Sequence, residues 1–324
     1  MLSQIEKLSS LEMDVIPKYL LMRDIMKLDK RESHMRTVKN DLLKSALVQK
    51  VLKEQLEDGS WGRFHSLNTS AKAQYTTESA LRRLLILGLD KDDFPMKKAL
   101  TYMRKYLKRE IDLRDYKEKK HDWDLLTRLF VAVWILKIDP SDSLAQAIAR
   151  EWAKVINSAF VGNEYNREAY LETYKEVHNP EKGKHIWGFQ NFYMISLLPG
   201  YINANVEVKL LDYLLNSDKG IYYIYDKKLM TLPDRFCSKQ SVRFIQAFDL
   251  LSDYSRFKDF SQAFVNWIFN NTSENDLWDL SSTAKDGIHL PLSSSWRKPQ
   301  NRIIDSTLFI LKVLEKLKIN DRKE

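Results

Sequence analysis

The chain has 324 residues, 52 Lys plus Arg against 44 Asp plus Glu (formal charge +8), nine glycines, eight tryptophans and a lone cysteine, Cys237. No G-x-G spacing occurs and Gly183-Lys184 is followed by His185, which excludes Gly-rich phosphate-cradling loops; one cysteine excludes a disulfide framework or a Cys-cluster zinc site. The longest apolar run, Leu129 to Leu136, is far shorter than the roughly 20 residues of a membrane span, Met1-Leu2-Ser3-Gln4-Ile5-Glu6 lacks signal-peptide character, and basic residues are interleaved with acidic ones, so we expect a soluble, cytoplasmic protein that binds no nucleic acid.

In chain order, residues 11–28 suggest a helix buried on most sides. An amphipathic stripe follows at Val38, Leu42, Leu43, Ala46, Leu47 and Val51, then an all-round apolar segment at 76–89. Stripes return at Ala99 to Leu107, Leu144 to Ile156, Val206 to Leu214 and Phe257 to Ile268. They alternate with all-round apolar segments at 123–138, 189–198, 241–251 and 303–317. A stripe implies one buried face, whereas apolar character all round implies burial on most sides. The expectation is therefore an all-α single domain over 1–324, with amphipathic outer helices around inner buried ones. Pro17 falls near a helix start, where a missing N–H is tolerated, and the other prolines mark boundaries. The stretch holding Tyr165, Tyr170, Tyr174 and His178 reads as a short surface helix.

Connections are unequal. Passage from an inner helix to the next outer one is short (88–94, 139–142, 199–205, 252–256), whereas outer-to-inner passages are long (58–75, 109–121, 159–188, 218–239, 270–302). All long loops then emerge where the inner helices begin, which marks that end as the binding face.

Gln55-Leu56-Glu57-Asp58-Gly59-Ser60-Trp61 fits Q-x-x-x-G-x-W at an outer-helix end, with Val51 at the aliphatic position upstream and Lys50 where an aromatic is usual; Thr76-Thr77-Glu78 then opens an inner helix. This resembles the squalene cyclase-type repeat of terpenoid cyclases and protein prenyltransferases. The resemblance implies an α/α toroid, two concentric rings of about five to six helical hairpins. The loops at His185-Ile186-Trp187-Gly188 and Asn275-Asp276-Leu277-Trp278 look like eroded copies.

Cyclases of that family protonate substrate with an Asp of D-x-D-D. Asp90-Lys91-Asp92-Asp93 spells the motif but follows an inner helix on the short-loop side, where Asp92 or Asp93 is better read as the N-cap of the helix holding Pro95. Prenyltransferases hold zinc through Asp, Cys and His. Asp234, Cys237 and His289 are the nearest equivalent, but D-x-x-C replaces D-x-C, and a partly buried free thiol is the preferred reading of Cys237. A divalent metal is the one cofactor considered.

The remaining candidates are polar residues at inner-helix starts. They are Glu78; Asp122, Asp124 and Arg128; Gln190 and Asn191; Arg235, Gln240 and Arg243; and Arg302 and Asp305; Trp61, Trp123, Trp187 and Trp296 stand close by in sequence. Arginines there would hold a diphosphate or carboxylate, and aromatic walls an isoprenoid chain. Alternatively, Asp124 with Arg128 and Arg302 with Asp305 simply pair along their helices. Asp122, Asp124 and Asp305 are the candidate catalytic carboxylates, the first and last as the pair of a carbohydrate-active toroid. The expected function is a prenyltransferase- or squalene cyclase-like protein binding an isoprenoid or other apolar molecule in a central cavity, with no catalysis asserted. The alternative is a scaffold that uses the long-loop face to bind a protein.

Overall fold

A computed structural model of the chain describes residues 1–66, 74–162 and 164–319, with residues 318 and 319 described by backbone only. Among these residues the protein is all-helical, with fourteen α-helices and isolated bridges but no strand. It begins with α1 (Leu2–Ser10) and α2 (Val15–Leu20), the latter continued by a π-helical turn, Leu21–Ile25. The first amphipathic stripe is two helices, α3 (Ser33–Lys44) and α4 (Ala46–Leu52), separated at Ser45, whose ψ of 146° leaves the helical region. Next come α5 (Thr77–Ile86), α6 (Phe94–Leu107), α7 (Trp123–Ile138), α8 (Ser143–Ala159) and α9 (Arg167–His178). The chain then forms α10 (Phe192–Leu197), α11 (Ala204–Asn216), α12 (Lys239–Leu251), α13 (Gln262–Phe269) and α14 (Pro299–Ile319). The stripe at 257–268 likewise breaks, into a 3-10 turn at Phe257–Phe260 and α13. Pro299 opens α14 rather than preceding it, as proline's fixed φ permits at a first position.

The buried helices pack on one another in sequence. Helices α5 and α10 each lie against α7, α12 lies between α10 and α14, and α14 packs on α2. At the far side Gly88, just past α5, abuts Tyr19 and Leu20 of α2, to which a Cβ at Gly88 would come within 3.1 and 3.2 Å. Outside them α3 covers α2, α4 touches α5, and α7 is flanked by α6 and α8. Helix α7 buries ten of its sixteen residues, including Phe130 and Trp134. One hydrophobic cluster runs from Leu8 to Leu317, and each large apolar side chain in it contributes about 1.5–3 kcal/mol by leaving water.

Starts of the buried helices are closed by side chains, because amide groups there have little water to turn to. Thr76 and Ser79 form a capping box on α5, Asp122 accepts from Leu125 N–H on α7, Asn191 from Tyr193 and Met194 on α10, and Ser238 from Ser241 on α12. The long loops meet in succession. Phe64 N–H donates to Arg114 O at 3.0 Å and His185 N–H to Lys120 O at 2.9 Å; Tyr222 N–H reaches Gln190 O at 3.0 Å, and the Cys237 thiol reaches Asp279 O at 3.1 Å. They therefore share one side of the molecule. Helix α9 is the short surface helix expected, and its inner face buries Tyr170 and Tyr174, with Trp152 of α8 packed against Tyr174 and His178.

Candidate ligand-binding cavity

On α5, Glu78, Arg82 and Ile86 recur every four residues and share one helix face. That face lines two neighbouring cavities. Toward the long loops it lines a compartment of about 620 Å³, together with His65, Arg83, Phe192, Tyr193 and Tyr223. Toward the helix C-termini it lines another of about 350 Å³ with Trp134, Lys137, Gln246 and His289, and a third of about 320 Å³ lies beside Arg243 of α12. Arg82 borders all three.

The upper compartment contains a tight polar cluster. Tyr193 donates its hydroxyl to Glu78, whose oxygens lie at 2.6 and 2.7 Å, and His65 Nδ1 is 2.8 Å from Glu78 Oε2 and 2.9 Å from the Tyr193 hydroxyl. Burial alone would lower the His65 pKa, but the hydrogen bond and charge of Glu78 more than compensate and raise it. Burial and the Glu78 carboxylate hold the Tyr193 hydroxyl well above 10. The cluster of imidazole, carboxyl and phenol groups forms a polar wall that a ligand's polar group can contact. Phe130 and Tyr223 pack on the His65 ring at 5.0 and 5.9 Å. On the opposite wall Arg83 is committed, donating to Ile288 O and Pro291 O at 2.6 Å each, which pins the loop before α14.

In the lower compartment Lys316 pairs with Asp249 at 2.7 Å and Asp253 at 3.0 Å, and Lys312 with Asp24 at 2.9 Å. Asp286 pairs with His289 at 2.9 Å and accepts from the backbone N–H groups of Ile288, His289 and Leu290.

The repeat-like motif has a clear mechanical role. Trp61 donates its indole N–H to Val51 O at 2.8 Å and its backbone N–H to the Thr77 hydroxyl at 3.0 Å, tying α4, the loop and α5 together. Gln55 Nε2 donates to Gly59 O and to Pro95 O of α6. Trp278 repeats the arrangement, with its indole on Ile268 O at 2.8 Å and its backbone N–H on Thr307 at 3.0 Å, tying α13 to α14. At Trp187 the backbone carbonyl accepts from the Tyr170 hydroxyl instead, so this loop is not a third copy. Compared with models of protein families, with curated proteins and with solved structures, the chain gives no match.

The residues singled out in the sequence divide sharply. Glu78, Arg243 and His289 line the cavity. Trp61 is a buried strut; Trp123 and Trp187 stand behind the cavity wall, against Phe130. Arg128 turns toward α6, its nearest acceptor being Leu107 O at 3.4 Å. Gln190 binds Ser217 and Gln240 binds Tyr225, Asn191 caps α10, and Arg235 and Asp234 are exposed. Neither local pair forms. Asp124 is an exposed carboxylate 4.0 Å from Lys117, and Arg302 makes a two-pronged contact with Asp279. Asp305 is wholly buried, accepting from Leu292 N–H, Ser293 N–H and hydroxyl, and the Trp296 indole. Asp122 caps α7 and accepts from Glu181 N–H. Asp122 and Asp305 thus have structural partners, whereas Asp124 is exposed and lines none of the three compartments.

Cys237 is exposed rather than partly buried, and its thiol donates to the Asp279 carbonyl. His289 has other neighbours, and no group of three His, Cys, Asp or Glu suited to a metal occurs among the described residues. Asp93 does stand at the N-cap position of α6, but its carboxylate accepts from Asp90 N–H and Lys39 Nζ, each at 2.7 Å. Among the described residues no helix is long and apolar enough to cross a membrane.

His65, Arg82, Lys137, Tyr193 and Asp286 were not among the sequence candidates. The signal for two of them was a charge inside an otherwise apolar helix: the Arg82-Arg83 doublet in α5 and Lys137 in α7.

Proposed function

We propose that α2, α5, α7, α10, α12 and α14 close into the inner ring of an α/α toroid, and that the space inside binds an isoprenoid or other largely apolar small molecule. The observation that carries this reading is that five of those six helices, all but α2, contribute side chains to compartments that meet at Arg82. Supporting it, the upper compartment falls within the range of about 300–1,000 Å³ usual for small-molecule sites and combines apolar walls with a few convergent polar groups. Phe192, Tyr193, Tyr223 and Ile288 supply the apolar wall; Glu78 and His65 supply polarity at the loop end. No reaction is assigned.

The test is mass spectrometry of organic extracts from the purified protein, with thermal shifts on adding farnesol or geranylgeraniol. A bound apolar compound, and a shift lost in Tyr223→Ala, is the expected result. An empty extract with no shift from either alcohol would refute the reading. A second reading, a protein-binding scaffold, draws on the exposed side chains of Tyr222, Met230 and Leu232 in the loop between α11 and α12; it requires an empty cavity and a partner whose binding is lost when these three become Ser.

A further inference from the structure

Three donors around the lower compartment lack the partners that their surroundings demand. Arg82 lies in the middle of α5 and Lys137 in the last turn of α7, and both converge on one ring: the guanidinium carbon is 5.1 Å, and the ammonium 5.5 Å, from the centre of Phe192. Neither makes an ion pair with a carboxylate among the described residues. The nearby carboxylates are already engaged: Glu78 by His65 and Tyr193, Asp249 and Asp253 by Lys316, and Asp286 by His289 and three amides. The nearest hydrogen-bonding neighbour of Arg82 is His289 Nε2, at 3.5 Å. Lys137 has no acceptor there. Trp134, which lines the same compartment, has a buried indole N–H with no acceptor.

Two half-buried cations on one ring, neither in an ion pair, are a costly arrangement, which the carboxylates of Glu78, Asp249, Asp253 and Asp286 offset only from a distance. Burial depresses the pKa of both groups. A solely structural reason for them is lacking, since aliphatic side chains would fill the same wall at less cost.

We propose that the lower compartment is a seat for an oxyanion, a phosphate or carboxylate group, held by Arg82 and Lys137. Two oxygens of a phosphate or carboxylate can each accept one of two parallel N–H bonds from the guanidinium, while the ammonium acts as a point charge beside them. Because Arg82 also borders the upper compartment, the anion can be a free ion or the head group of an amphiphile whose apolar part lies along Phe192 and Tyr193. That second form rests on the ligand reading given above; the anion seat does not require it.

The experiment is isothermal titration of the full chain at fixed ionic strength with inorganic phosphate, decyl phosphate and decanol, using wild type, Arg82→Met and Lys137→Met. Phosphate binding that weakens at least tenfold in each variant, with decanol binding unchanged, is the expected result. Both variants should melt at or above the wild-type temperature, since each removes a half-buried cation that forms no ion pair among the described residues. Failure of wild type to bind phosphate or decyl phosphate, or equal binding by wild type and both variants, overturns the seat. A clear loss of melting temperature in both variants also overturns it, by making the two cations structural. Phosphate binding without any gain from the decyl chain would instead leave the seat standing and defeat the apolar-ligand reading.

Discussion

A sharp steric claim concerns Gly59. Its φ is +93°, and a Cβ there would stand 2.5 Å from Lys98 O and 2.6 Å from Lys98 C, both backbone atoms of α6. Gly183 has a similar φ of +85° but open space around it. Replacing either by Ala incurs the conformational penalty of a positive φ, about 1–2 kcal/mol. At Gly59 the side chain must also push α6 or the turn aside, adding about 1–3 kcal/mol, and the shift would disturb the Gln55 bridge from Gly59 O to Pro95 O. Urea unfolding followed by circular dichroism should therefore place Gly59→Ala below Gly183→Ala by at least about 1 kcal/mol. If the two variants unfold at the same urea concentration, the turn does not lie against α6 and the strut role given to the Q-x-x-x-G-x-W segment is wrong.

Trp61→Phe and Trp278→Phe should each lose about 1–3 kcal/mol in the same assay, because the buried indole bond to Val51 O or Ile268 O is lost and the smaller ring leaves a void; a large cost at one site and none at the other would refute their equivalence. Asp305→Ala strands two backbone amides and the Trp296 indole, so a loss of about 3–5 kcal/mol is expected, whereas Asp305→Asn, in which the Ser293 hydroxyl can turn round to accept, should lose about 2 kcal/mol. Burial against Trp152 pushes His178 down to about 4 from the usual 6.5. The folded state then takes up this proton less readily than the unfolded chain. Stability is full above about pH 6.5, declines as the pH falls and reaches its full loss below about pH 4, up to about 3 kcal/mol. His178→Phe should flatten that part of the urea-midpoint profile between pH 7 and 4; an unchanged slope would exclude His178 as its source.

The all-helical fold was readable because alternation of striped and all-round apolar segments is a local signal. Breaks at Ser45 and Ser261 were not, since apolar spacing continues across them while the backbone departs. The cavity was harder to read. Attention to helix starts found Glu78, but most polar residues there are consumed by capping or by loops. Asp122 holds the amides of Leu125 and Glu181, and Asp305 holds a loop whose N–H groups have no water. Arg302 likewise turns from its neighbour on α14 to Asp279. Those partners are distant in sequence, and periodicity carries no record of them. Arg82 and Lys137 interrupt apolar helices, a local irregularity that becomes meaningful only when both are seen around Phe192.

The first and last helices lie together. Lys7 pairs with Asp276 at 2.6 Å, Ser294 N–H binds Asp14 at 2.6 Å, Gln300 reaches Glu12 O at 3.0 Å, and α14 packs on α1 and α2. An open helical array can fold repeat by repeat, each unit stabilised by the one before it. Here α2 obtains a principal neighbour only when residues nearly 300 positions later arrive, so closing that contact costs loop entropy before it is repaid. Folding should be slow for an all-helical protein and late in committing. During synthesis the side of α2 that packs on α14 stays uncovered until α14 has been made, whereas α3 can cover its other side early.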